Sequence, residues 1–485
     1  MGGRISNFAV IGAGVAGTYI ALRLACASPD LVFRKLIPQQ QGKPIIQLFN
    51  ALNRPGGRLC SPKMPGMQFF EAELGEMRYA GTQILASNLV RHLGLAPKTI
   101  SYVVNTTSPS IGAYEPGSSA GTRSSWPPTL PSGVTHYYVS PSGSDANRGS
   151  QSAPWLTINH ASHAIPSGAG AVVHVADGTY NLTSATCIVS TRSGASVSAP
   201  IVFLSDTQWG AKINGGSNCL TIWDITGAYV NVWGFDITGG KTGGTGSTGA
   251  AIAAVGGGGN YDIAYNRIHD LAPGLGAAVN ISPTNAGVYT GAPCNFHDNV
   301  EFNLAQGKLE TFGDYGLYNS CGEGNVYNNL MYNLGSLGVH SWHAAANQHY
   351  HNNTLYNVHY GLQIGTGGPG GVASAYFDVT NNIIVNGHHG IYIADQCPTY
   401  CVSKSSVFRN NLVYGNALDW YYNMNGANTT IQAQGMAVTG TVAGDPQFTS
   451  AGSDFVIKST SPAAAHGLYD SSYTPLKDLH GEARQ

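Results

Sequence analysis

Six segments of this 485-residue chain repeat one pattern: "YNRIHDL" from Tyr265, "DNVEFNL" from Asp298, "NNLMYNL" from Asn328, "NNTLYNV" from Asn352, "NNIIVNG" from Asn381 and "NNLVYGN" from Asn410. Their second positions are Asn266, Asn299, Asn329, Asn353, Asn382 and Asn411, spaced 33, 30, 24, 29 and 29 residues apart. A period of this length, with short strand-like runs in each unit, constrains the fold more than any other feature. One unit cannot bury its own apolar face, so units must stack into a solenoid. Asparagine at the same corner of successive coils lets side-chain amides hydrogen-bond along the axis.

Composition agrees. Glycine is abundant at 64 residues, without a collagen-like triplet, and only 10% of residues are charged, which suits many tight turns between short strands. The charge is uneven. Up to Gly133 there are 12 Lys/Arg against 5 Asp/Glu; from Val134 onward there are 11 against 20, together with fifteen of the sixteen histidines. Two compositions in one chain suggest two origins, and the acidic second part argues against a nucleic-acid partner. No apolar run is long enough to span a bilayer. Six of the eight cysteines fall in the second part. Cys397 and Cys401, in "CPTYC", close the shortest candidate loop; Cys294 with Cys321, and Cys187 with Cys219, are the other pairs to test.

From Val134 to the end, the repeat resembles the right-handed parallel β-helix of the pectin-lyase-like superfamily. The stretch from Tyr137 to Ile165 is similar to that family's first strand and capping helix, and Asp445 to Gly467 to its closing coil. The resemblance implies a mainly β solenoid, a polysaccharide as partner, a monomer, and an extracellular or periplasmic location. The fold also serves lyases, hydrolases, epimerases and non-catalytic surface proteins, so it does not fix an activity. Binding or adhesion without catalysis is the alternative to a polysaccharide lyase or glycoside hydrolase.

Aligning coils on Gly316, Gly338, Gly361 and Gly390 turns the next residues, Leu317, Val339, Leu362 and Ile391, inward. Alternation then sends Tyr318, His340, Gln363 and Tyr392 outward as a stripe, with coils about 4.8 Å apart. Two positions before each Gly stands a second column of Asp314, Ser336, His359 and His388. Such a surface suits an extended sugar polymer, with Tyr318, Gln363, Tyr392, His359, His388 and Arg267 as binding candidates. One coil carries an insertion, "AQGKLETF", which brings Lys308 and Glu310 close in sequence to Asp314. β-Elimination needs a base, for which Lys308, Arg267, His340 or Tyr318 are candidates, and a cation on the uronate; Ca²⁺ held by Asp314 and Glu323 would serve. Hydrolysis needs two carboxyl groups across the bond, and Glu310 with Asp314 is the local pair. The W-x-D-H and R-x-P-x-x-R signatures of well-known pectate lyases, and the adjacent Asp-Asp of polygalacturonase-like hydrolases, are absent. The histidines of "HSWHAAANQHYH" (His340, His343, His349, His351) spread over a turn and two faces, so together they are not expected to converge on one zinc.

The first hundred residues read differently. "NFAVIGAGVAGTYIALRLACA" gives a strand, a G-x-G-x-x-G turn and an apolar helix. A second strand, "PIIQLFN", is followed by "RPGGRL" and "AELGEMRY". Together these resemble the N-terminal FAD-binding portion of flavin amine oxidases, in particular bacterial-type L-amino-acid oxidases. The resemblance assigns FAD contacts to Gly12, Gly14, Gly17, Gly57 and Arg58, and places Arg78 beside the flavin. Asn50 stands where that family usually has a ribose-binding Glu. The resemblance ends near Asn105, without the substrate domain and second FAD-contacting segment of a complete oxidase, so residues 1–105 read as a truncated Rossmann-like fragment. "MGGRIS" fits a myristoylation pattern, and the apolar run ending in "ACAS" is interrupted by Arg23, so neither reads as a convincing targeting signal. Residues 106–133, rich in Ser, Thr, Pro and Gly, read as a linker.

Overall fold

The computed structural model describes residues 8–11, 46–49, 109–118, 125–243, 249–285, 288–289, 293–304, 314–365, 375–395, 402–424, 427–469, 475 and 477–484. The chain divides into two units, Met1–Val104 and Asn105–Gln485. In the first, Phe8–Ile11 and Ile46–Phe49 pair in parallel. Gly12, Gly14, Gly17, Gly57, Arg58 and Arg78 lie outside the described residues, as do Lys308, Glu310, Cys397 and Cys401.

The second unit is a parallel β-helix whose coils present three faces. Face A stacks eleven described strands, from Thr135–Val139 and Ala171–Val175 through Tyr261–Ala264, Pro293–His297, Glu323–Tyr327, Asn347–His351 and Tyr376–Thr380 to Ala437–Thr439. Face B runs from Gly178–Asn181 through Arg267–Leu271 and Val300–Leu304 to Leu412–Tyr414. Face C runs from Ile188–Ser190 through Ala277–Ser282 and Tyr315–Asn319 to His389–Asp395 and Leu418–Met424. Leu330–Ser341 and Thr354–Ile364 pass through the bend between B and C and belong to both. Among the described residues, successive coils pair in parallel, as in Asn347↔Tyr376 and Leu362↔Ile391, with register shifts at Ile237/Gly239 and Leu334/Leu337.

Alternation fills the interior. On face A, Val232, Ile263, Phe296, Val326, Tyr350, Val379 and Phe408 form one inward column, each essentially inaccessible to solvent. Leu317, Val339, Leu362 and Ile391 point inward as expected. The aligned glycines have a steric cause: a Cβ at Gly338 would lie 2.7 Å from the Gly361 carbonyl oxygen and 2.7 Å from Leu355, and one at Gly361 would lie 2.5 Å from Ile384. The bend presses the backbone against face B, and only glycine fits there.

The asparagine corner is a continuous ladder. Asn299 Oδ1 accepts from the backbone N–H of Asn266 (2.9 Å) and from its Nδ2 (3.2 Å), and Asn266 Nδ2 also donates to the Val232 carbonyl (2.9 Å). The pattern repeats from Asn299 to Asn329, Asn353, Asn382 and Asn411. All six are buried. The preceding residue in each coil has positive φ, from 50° at Asn410 to 63° at Tyr265. This αL residue makes the corner and aims the following amide inward; Asn and Asp tolerate that conformation best. A second αL corner follows five residues later, at Asp270, Asn303, Asn333, Asn357 and Asn386.

The ends also take shape from local chemistry. The helix Ile158–Ala164 is N-capped by Thr157, whose side chain accepts from His160 N, and buries Ile158 and Ala161 against the first coil. Disulfides join Cys187 to Cys219 and Cys294 to Cys321. Two expectations are corrected. Within the presumed linker, residues 109–118 lie flat against face B. Ile111 and Ala113 are fully buried, Gly112 N donates to the Asn381 carbonyl (2.7 Å), and Glu115 pairs with Arg484 (3.1 Å). Its N–H groups find acceptors elsewhere in the fold, Ile111 on the Ala463 carbonyl, Gly112 on the Asn381 carbonyl and Ala113 on Thr354 Oγ1, so the segment packs without a ladder of its own. The segment after Asp445 is likewise no further coil: Phe448–Ser450 and Asp454–Ile457 form an antiparallel hairpin whose Phe448 and Phe455 rings cover Tyr332 and Tyr356 of face B.

Candidate functional site on face C

The expected stripe exists in register. Tyr318 pairs with His340, His340 with Gln363, and Gln363 with Tyr392; Tyr421 continues it into the next coil. A parallel outward column, Tyr315, Leu337, Tyr360, His389 and Leu418, runs beside it. The backbone bends at the aligned glycines, so the residue before each Gly also faces out. Strict alternation therefore overlooks Tyr315, Tyr360 and His389. Tyr421 was missed because its coil has Asp419 where the others have Gly, and Trp342 because it lies in the turn after its strand.

The rings pack edge to face and stacked, not singly. Tyr360 stacks on His389 at 4.5 Å between centroids, His389 on Tyr392 at 5.1 Å, and Tyr392 meets Tyr421 at 5.2 Å. Tyr315, Tyr318 and His340 form a second group with centroids 5.0 to 5.3 Å apart, and Trp342 lies 5.5 Å from His340. Gln363 Nε2 approaches His340 Nε2 at 3.5 Å.

Exposure differs along the two columns. Tyr315, Tyr318, His340, Gln363 and His389 are buried, whereas Trp342, Tyr360, Tyr392 and Tyr421 are half-exposed. Those four rings, with half-exposed His359 and His388, form the accessible surface. His359 and His388 stack at 5.0 Å, and His388 Nδ1 lies 2.9 Å from His389 Nδ1.

Burial sets the protonation states. It drives the His340 imidazole down to about 3, with His343 adding to the effect, and His389 down to about 4, helped by His388 and His359. Burial lifts the Tyr392 and Tyr315 phenols to about 12; Tyr421 and Tyr360 add to the first, and Asp314 to the second. All four groups are neutral near pH 7. Among the described residues, neither outward column from Tyr315 to Tyr421 contains Lys or Arg.

The remaining candidates do not gather here. Arg267 stands on face B, bonded to Asp236 at 2.6 Å and lying 4.8 Å over the Trp209 ring, so it serves a local ion pair rather than the stripe. Asp314 opens the Tyr315 strand, but its two carboxylate oxygens accept from the backbone N–H groups of Gly274 and Gly276, both at 3.1 Å, which ties it to the preceding coil. Glu323 is exposed at the start of the next face A strand. His340 is outward, as expected, but a buried imidazole held this low is a weak base.

No protein-family model matches this chain, and no curated protein does. Similar solved structures include XylC in complex with xylose (14% identity, 60% of this chain and 70% of that one, TM-score 0.42). Pectate lyase Pel9A is another (14% identity, 72% and 96%, TM-score 0.39), as is a rhamnogalacturonan lyase (15% identity, 65% and 91%, TM-score 0.36). None of their chemistry is carried over to this chain.

Proposed function

We propose that this protein binds an extended, largely uncharged polysaccharide along face C. The observation that carries this reading is the run of half-exposed rings, Trp342, Tyr360, Tyr392 and Tyr421, spread over consecutive coils and backed by neutral imidazoles and phenols. Sugar rings present apolar C–H faces that pack on aromatics, and their hydroxyls take hydrogen bonds from phenols and imidazoles. The lack of Lys and Arg in the two columns favours neutral sugars over uronates. Two disulfides support an oxidising, extracellular or periplasmic setting.

Cleavage of the bound glycan, by β-elimination or hydrolysis, is the second reading. It is favoured by the position of Asp314, one residue before Tyr315 at the edge of the platform, with Lys308 and Glu310 shortly before it in sequence. Affinity electrophoresis against neutral and uronate polymers tests binding. Reducing-end release, and the ultraviolet absorbance of unsaturated products, test cleavage. Retention by neutral polymers without new ends supports the first reading; new ends that vanish in Asp314→Asn support the second. No retention by any polymer sinks both.

A further inference from the structure

On face A, away from the aromatic platform, three side chains converge in a way no linear pattern announces. His349 and His351 lie on the strand Asn347–His351 with Tyr350 between them. Tyr350 is fully buried in the interior, so alternation turns both imidazoles to the outer side. The next coil supplies Asp378, in register with His349. One ligand atom from each of the three lies within 4.8 Å of the others, and all three residues are buried. His351 Nε2 is 3.6 Å from Asp378 Oδ1.

The geometry points to a divalent transition-metal site of the zinc class, held by His349, His351 and Asp378 and clipping two successive coils together. Two imidazole nitrogens and one carboxylate oxygen are the donor types such ions prefer. Ligand atoms around tetrahedral zinc sit about 3.4 Å apart, given bonds of about 2.0–2.1 Å. The trio therefore needs to close by little more than an ångström. The carboxylate is already oriented: Arg409 Nη2 holds Oδ2 at 2.5 Å and Thr380 Oγ1 donates to Oδ1 at 2.5 Å. Arg409 lies one coil further on and acts as a positioning residue, fixing the carboxylate as outer partners of metal ligands do. Deep burial makes the site structural rather than catalytic. The four histidines of "HSWHAAANQHYH" indeed divide between faces; the third ligand comes from 27 residues beyond His351, where only the coil register reveals it.

The test strips the purified full-length chain with a chelator, adds Zn²⁺ alone, and counts bound metal after gel filtration. Co²⁺ loaded in its place reports imidazole coordination in the visible spectrum without any variant. Expected are one ion per chain, Co²⁺ ligand-field bands of low-coordinate geometry, and at least tenfold weaker binding in His349→Gln and in His351→Gln. His163→Gln, an exposed histidine on the capping helix, keeps the ion. Substoichiometric zinc in the wild type, a Co²⁺ spectrum of the aqueous ion, or undiminished binding in both site variants overturns the proposal.

Discussion

Glu301 is the sharpest test of how this solenoid is held together. It occupies the inward column of face B, between Ile268 and Met331, fully buried, and neither carboxylate oxygen has a hydrogen-bond partner among the described residues. Its carboxyl lies where a Gly316 side chain would be, since a Cβ there would sit 2.7 Å from Oε2. Burial raises this carboxyl from 4.5 to about 8. A raised carboxyl holds its proton in the folded chain and loses it in the unfolded one, so stability falls as pH rises from about 4.5 to about 8. At 1.36 kcal/mol per unit, a gap of about 2.5 units at pH 7 costs about 3 kcal/mol. Glu301→Gln keeps the shape and cannot ionise. In urea unfolding at a series of pH values, the variant and wild type should match near pH 4.5. The variant should gain through neutral pH and level off above pH 8. Subtraction removes the contribution of His340 and His389, which acts on the acid side, because the unfolded chain binds their protons first. A difference that is flat with pH, or that grows toward acid, refutes the reasoning. Glu301→Met, matching Met331, should stabilise at every pH.

Other outcomes follow from the same contacts. Asn353→Ala removes the acceptor of two Asn329 donors inside the core and should cost about 2–4 kcal/mol in urea unfolding, with face C unchanged. The paired Cys187→Ala and Cys219→Ala change opens a loop spanning 32 residues and should cost about 3–4 kcal/mol, read by thermal unfolding with and without reductant. His340 should show no imidazole titration by NMR between pH 5 and 8, because burial keeps it neutral throughout that range. The flavin implied by the N-terminal resemblance is checked by the visible spectrum: a flavin band that survives desalting supports it, and a colourless chain removes it.

Much of the solenoid was legible because its constraints are periodic. One amide per corner over six coils and one glycine per bend over four are enforced by hydrogen bonding and sterics, so they survive as spaced letters. The inward residues after each Gly, and the outward register of Tyr318, His340, Gln363 and Tyr392, follow from the same period. What stayed hidden depends on non-local covering. Nothing near His340 in sequence says that it is buried while Tyr392 is half-open. Nor does composition say that the Gly112 N–H donates to the carbonyl of Asn381, roughly 270 residues away. Arg267 resembled a binding residue until its partner Asp236, 31 residues earlier, proved to be its neighbour in the adjacent coil.

The central claim, glycan binding on the half-exposed rings of face C, meets its most direct test in Tyr392→Ala and Tyr421→Ala measured by affinity electrophoresis. Tyr414→Ala, an exposed tyrosine on face B, is the control. Loss of one stacked aromatic should weaken retention by neutral polymer roughly fivefold to tenfold, for about 1 kcal/mol of ring contact. The control should migrate as wild type. Equal retention of all three variants contradicts the account.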